Sequence, residues 1–204
     1  MFDLIIVRHG NTFDPGDTVT RVGGRTDLPL SSSGRAQADA LGRHFAVTPL
    51  TSITSSPLAR TWQTAQAVHA AQPSGTPAPQ AHVFLKEIDY GPDENQPEEA
   101  VTARLGADAL RRWDEDADMP EDWSPRPEEL RRLWDAWITT LADFHRDGEI
   151  HMVVTSNGVA RFALDVMSLD RRPETIKLKT AAFGRFRVDS GLQATVMDWN
   201  VRPT

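Results

Sequence analysis

Residues Leu4-Ile5-Ile6-Val7-Arg8-His9-Gly10-Asn11-Thr12 decide how this chain is read. A short β-branched run that ends in a cation, a histidine and a glycine is the pattern of a buried strand delivering a reactive group to its C-terminal edge. In open α/β sheets, ligands bind at that edge. Gly10 lets backbone come close to a ligand, and Asn11 and Thr12 add donors. An arginine beside a histidine there suits an oxyanion, phosphate above all. Taken alone, the tripeptide Arg8-His9-Gly10 reads more readily as a charged strand end before a turn.

Outward from this strand, at residues 2–7, the chain alternates strand and helix patterns. Residues 18–30 form a loop rich in Gly, Arg and Asp. Ser32 or Ser33 can cap a helix carrying Ala36, Ala40, Leu41 and Phe45 at helical spacing. Residues 51–55 read as a second strand, and Ser56-Pro57 start a helix with the cap at Ser56 and proline in the first turn. A Pro-rich loop at 72–80 leads to a third strand at 81–85. A helix over 97–113 starts with Glu98-Glu99 and ends with Arg111-Arg112, which complements the helix dipole. A second, over 125–145, puts Leu130, Leu133, Trp134, Trp137, Ile138 and Leu141 on one stripe. Its tryptophans read as core. A fourth strand at 150–155, a helix at 157–167 and a closing strand pair at 183–188 and 194–199 complete the pattern. The expectation is the α/β class: a single domain over residues 1–204, a three-layer α/β/α sandwich with a mostly parallel sheet covered on both faces.

Composition narrows the function classes. With 204 residues, 39% of them hydrophobic and 25% charged, the chain fits one soluble globular domain. No apolar stretch approaches the length of a membrane span, and Met1-Phe2-Asp3 lacks the basic start of a signal peptide, so no membrane partner and a cytoplasmic location are the default expectations. The absence of cysteine excludes a disulfide framework, a thiolate zinc site and a cysteine nucleophile. A net charge of -7 argues against a nucleic-acid partner. The acidity belongs to one segment: residues 91–129 hold thirteen acids against four bases, which leaves the rest at about +2. That balance suits an anionic substrate near Arg8, although a solvated helical face is the plainer account of the acids.

Three more stretches can carry chemistry. Ser55-Ser56-Pro57-Leu58-Ala59-Arg60-Thr61 puts a helix N-terminus and a guanidinium at the end of strand two, physically an anion site. Alone, Arg60 also reads as a solvent arginine. Leu85-Lys86-Glu87-Ile88-Asp89-Tyr90-Gly91 puts a carboxylate after strand three, where desolvation could keep it partly neutral for proton donation. Alone, Glu87 reads as a surface acid beside Lys86. Val153-Val154-Thr155-Ser156-Asn157-Gly158-Val159-Ala160-Arg161 is a strand-to-helix turn full of small polar groups.

In this order the elements resemble the histidine phosphatase superfamily, the phosphoglycerate-mutase-like family of phosphatases and mutases. Asn11-Thr12, Arg21-Val22-Gly23-Gly24, Asp27-Leu28-Pro29-Leu30, Ser33-Gly34, Gln37-Ala38 and Gln63-Thr64-Ala65 add to the likeness, which covers residues 2–91 well and 150–166 in part. The resemblance implies that His9 is the nucleophile and carries a phosphohistidine. Arg8 and Arg60 would hold the phosphoryl oxygens, and Glu87 would protonate the leaving group and then activate water. Asn11, Thr12, Arg21, Gly24, Ser156 and Asn157 would bind substrate, a small phosphorylated molecule. No metal or other cofactor is implied, and the remaining histidines have no metal-ligand spacing.

Two departures from the family pattern bear on function. The second histidine usual after the Val-Val strand is replaced by Ser156, which can donate a hydrogen bond but carries no charge. His151 lies five residues back along a strand, roughly 16 Å away, and His145 falls in a different helix. After Tyr90-Gly91 the family's Trp-Glu-Gly-like continuation is missing, and the acidic segment at 91–129 is expected to cap the site and set substrate choice. Asp14-Pro15 also stands where mutases carry Trp-Asn, and Asp93, Glu94 and Glu98 near the mouth would repel a bisphosphate. A phosphomonoesterase is therefore the leading expectation, with a non-catalytic phosphate-binding module and a phosphotransferase or mutase as alternatives. Dimerisation stays open.

Overall fold

The computed structural model describes residues 1–203. A seven-stranded sheet runs in the order β3-β2-β4-β1-β6-β7-β5. Its strands are β1 (Phe2–Arg8), β2 (Ser52–Ser55), β3 (Gln80–Ala81), β4 (Ile150–Thr155), β5 (Ser168–Leu169), β6 (Phe183–Val188) and β7 (Gln193–Val201). β1 pairs parallel to β4, as β4 does to β2 and β2 to β3, whereas β6 runs antiparallel to both β1 and β7.

The β1 run is buried on both faces because it is apolar at successive positions. Leu4 and Ile6 enter one core with Leu130, Trp134, Ile138 and Phe162. Ile5 and Val7 enter a second with Leu41, Phe45, Ala65 and Val68. The first core lies under α5 (Pro127–Phe144) and the short α6 (Asn157–Ala160) and α7 (Ala163–Val166). The second lies under α1 (Ser32–Phe45) and α2 (Ala59–Ala70). This is the three-layer, mostly parallel α/β/α arrangement expected. Each such side chain removed from water contributes roughly 1.5–3 kcal/mol.

Several boundaries differ from the sequence expectation. Helix α1 is capped by Ser31, whose Oγ accepts the Gly34 N–H at 3.2 Å, while the Asp14 carboxylate takes the N–H groups of Ser32 and Ser33. Helix α2 begins at Ala59 rather than Pro57, and Ser56 Oγ accepts the Leu58 N–H just ahead of it. The third strand is only Gln80–Ala81. The His82 N–H still reaches Ser55, after which a 3-10 turn at Val83–Leu85 leads the chain across the strand ends. The helix expected over 97–113 is two, α3 (Glu98–Leu105) and α4 (Ala107–Asp116), because Gly106 sits at φ 84°, outside the helical region. The helix expected over 157–167 is likewise split, by a turn at the buried pair Arg161 and Phe162. Among the described residues, no helix is long and apolar enough to cross a membrane.

Candidate active site

β1, β2 and β4 end side by side, and the residues after them build one cavity of about 490 Å³. His9 follows β1 directly. Its N–H is held by the Thr155 carbonyl at the end of β4 (3.1 Å) and its carbonyl by the Ala181 N–H. The loop that follows is clamped on α1. Gly10 lies against Gly34, where a Cβ would come 2.5 Å from the Gly34 carbonyl oxygen. Asn11 N–H donates to Gln37 Oε1, and Asn11 Nδ2 to Ser33 Oγ. The close approach explains both glycines and the Gln37 side chain that the sequence displays.

The His9 ring is 6% exposed and has two defined partners. Nδ1 lies 2.7 Å from the Gly10 carbonyl oxygen, which can only accept, so Nδ1 carries the proton. Nε2 accepts from Arg60 Nε at 3.2 Å and therefore holds the lone pair. Burial, followed by the Arg60 and Arg8 charges, drives the imidazole well below its ordinary value of 6.5; the Gly10 hydrogen bond opposes this only in part. The ring is a neutral base with a fixed tautomer.

Arg60 is fully buried in the first turn of α2. Besides His9 it donates to the carbonyls of Thr26 (2.9 Å) and Gly23 (3.2 Å), so a loop that the sequence marks with glycine and arginine orients the guanidinium. Arg8 donates from Nη1 to the Leu178 carbonyl at 2.7 Å. Among the described residues its buried Nε has no partner.

Glu87 comes from the turn after the third strand, anchored where Thr155 Oγ1 donates to the Leu85 carbonyl. Its carboxylate accepts the Ile88 N–H on Oε1 (2.9 Å) and the Gly158 N–H on Oε2 (3.2 Å). A Cβ on Gly158 would sit 2.2 Å from Glu87 Oε1, so the carboxylate keeps this position only beside a glycine.

Arg8, His9, Asn11, Thr12, Arg21, Arg60, Glu87 and Asn157 all border the cavity. Gly24 and Ser156 do not. Gly24 donates to the Ile88 carbonyl and is pressed against the Glu87 carbonyl, and the Ser156 hydroxyl is sealed from solvent without a partner among the described residues. His151 bonds Ser52 at the far end of β4, and His145 meets the chain N-terminus, so neither stands in for a second site histidine. Of the acids expected at the mouth, only Glu98 faces the cavity, paired with Arg21 at 2.5 Å. Asp93 is buried against Arg104 and Trp123, and Glu94 accepts from Gly23, Arg25, Thr26 and Tyr90, tying the 21–26 loop down. Burial pushes the Asp93 carboxyl up, but the Arg104 and Trp123 hydrogen bonds outweigh it and hold it below the usual range.

Sequence reasoning missed Tyr90, Trp113, Asp114, Lys177 and Thr180, which also line the cavity. Lys177 pairs with Asp114 of α4 at 2.5 Å. The charged Lys177-Leu178-Lys179 run was visible, but nothing local says that it folds back over the ends of β1 and β4.

The sequence model of the histidine phosphatase superfamily (branch 1) matches residues 4–201. Among solved structures, the mycobacterial glucosyl-3-phosphoglycerate phosphatase is similar with a TM-score of 0.80 and 19% identity, over 98% of this chain and 99% of that one. The Bacillus stearothermophilus protein YhfR gives 0.77 and 21%, over 98% and 97%. A phosphoserine phosphatase from Entamoeba histolytica, solved with 3-phosphoglyceric acid, gives 0.75 and 18%, over 98% of both chains. A search of curated proteins finds no match.

Proposed function

The chain belongs to the histidine phosphatase superfamily, and from that premise we propose that it hydrolyses phosphomonoesters through a phosphohistidine on His9. The observation that carries the reading is the His9 ring itself: neutral, protonated on Nδ1, with the Nε2 lone pair beside two guanidinium groups in a cavity.

Nε2 attacks phosphorus and the bond to the ester oxygen breaks. Glu87, acting as the general acid, gives a proton to that oxygen, which leaves as an alcohol. Charge on the transferring group falls on its equatorial oxygens, which Arg8 and Arg60 stabilise, the Arg60 Nε–H turning from Nε2 to a phosphoryl oxygen as the lone pair is freed to attack. Water then attacks phosphorus, Glu87 takes its proton, the P–N bond breaks, and phosphate leaves with His9 restored. The Nδ1–H bond to Gly10 stabilises the ring as it acquires positive charge.

The substrate is a small phosphorylated metabolite. Similar solved proteins are named for glucosyl-3-phosphoglycerate and phosphoserine, which are of that size. The segment at residues 91–129 acts as the cap that chooses among them, since Glu98, Trp113 and Asp114 supply part of the cavity wall. One observation favours a phosphate-binding module without turnover: the hydroxyl of Ser156, which the resemblance aligns with the family's second histidine, does not reach the cavity.

Hydrolysis of an aryl phosphate without added metal, wild type against His9→Ala, separates the readings. Turnover in the wild type that vanishes in the variant supports the phosphatase. Phosphate binding without turnover in the wild type points to the binding module.

A further inference from the structure

Asn157 stands at the point where β4 hands over to α6, and its side chain, 8% exposed, borders the same cavity as His9 and Glu87. Its Oδ1 accepts the Leu178 N–H at 2.8 Å. An amide whose oxygen is claimed by an N–H has its orientation settled, with both amine hydrogens directed away from that contact. Among the described residues, Nδ2 makes no hydrogen bond within the protein, yet it is not among the buried polar atoms left without partners. Its donors therefore open towards the cavity. Ser156 is the reverse case, fully buried and outside the cavity wall.

The setting of Asn157 is rigid. Leu178 also accepts Arg8 Nη1 on its carbonyl, so one residue fixes both Arg8 and Asn157. From below, Arg161 Nε donates to the Asn157 carbonyl at 3.3 Å, with its guanidinium 3.9 Å from the Trp113 ring centre. Glu87 does not need the Asn157 amide, because its oxygens already accept the Ile88 and Gly158 N–H groups.

We infer that Asn157 donates from Nδ2 to an oxygen of the transferring phosphoryl group, as a neutral donor beside Arg8 and Arg60. The inference rests on the function proposed above. A preorganised amide aimed at developing oxyanion charge needs no charge of its own to be worth roughly 10²–10³ in rate. It supplies what Ser156 cannot reach to supply.

The test measures aryl phosphate turnover and orthovanadate affinity in Asn157→Ala, Asn157→Asp and Ser156→Ala, with thermal melts to establish folding. Asn157→Ala is expected to lower kcat about 10²–10³-fold, with a smaller change in KM, and to weaken vanadate binding more than Ser156→Ala does. Asn157→Asp keeps an acceptor for the Leu178 N–H but removes the donor, so it is expected not to recover activity. Recovery by Asn157→Asp would mean that Asn157 only tethers Leu178, and a larger loss in Ser156→Ala would assign the donor to Ser156; either overturns the inference. If wild type binds vanadate without turnover, the catalytic reading fails while the vanadate comparison still decides whether Asn157 contacts the oxyanion.

Discussion

The Nδ1–H of His9 is held by the carbonyl of its own neighbour, Gly10, at 2.7 Å, and this contact makes Nε2 the nitrogen that the proposed mechanism uses as nucleophile. Arg8-His9-Gly10 displays the residues but not the tautomer, which depends on Arg60 arriving from α2 on the opposite side. Because burial first, then Arg60 and Arg8, hold the ring neutral, His9 remains a free base as pH falls through 6.5. The acid limb of kcat/KM due to His9 is therefore expected below 6.5. A pH–rate profile that placed it at or above 6.5 would contradict the geometry. Gly158 has an equally specific role. In Gly158→Ala the new methyl displaces the Glu87 carboxylate, and turnover of esters with poor leaving groups is expected to drop about 10²-fold or more, of the order general acid catalysis supplies. Esters with good aryl leaving groups should suffer less, and equal losses for both would remove Glu87 from proton donation.

At the scale of elements, the turns after the strands do more than the strands. The sequence pattern places residues 81–85 in a strand, yet β2 pairs with this stretch of chain only at Gln80 and Ala81, and Val83–Leu85 form a 3-10 turn. That early departure carries Glu87 past the end of β4, where it meets Gly158. The 91–129 segment is anchored by Asp93, 1% exposed, whose carboxylate gathers Arg104 and the Trp123 indole N–H. From sequence Asp93 is expected as an acid near the mouth of the site, repelling a bisphosphate, not as a buried anchor. Asp93→Ala leaves the Trp123 N–H without its acceptor and is expected to cost about 1–3 kcal/mol. A denaturant midpoint would read this, and an unchanged midpoint would mean that the segment does not depend on this anchor.

Across the whole molecule, the α/β class, the parallel centre and most of the expected residues that border the cavity were legible in the sequence. Strand and helix periodicities are local, and β1 states its burial in its own composition. The contacts that complete the cavity were not legible. Leu178 acts through its backbone, and Lys177 and Asp114 meet across 63 positions of sequence. The pH dependence of stability is also a property of the whole fold. His9 and His151 are both held neutral chiefly by burial, below 6.5. The unfolded chain binds those protons first, so their contribution is complete above 6.5 and is lost as pH falls below it towards the folded values. Urea midpoints should therefore fall between pH 8 and pH 5.5, and a midpoint that rose over that range would refute the assignment of neutral buried imidazoles.

The most direct measurement traps the intermediate. Rapid mixing with an aryl phosphate, alkaline quench and mass spectrometry of the digest should recover one phosphoryl group on His9, and phosphorus NMR should assign it to Nε2. Phosphate on Nδ1 or on another residue, or turnover in His9→Ala at the wild-type rate, would contradict the account.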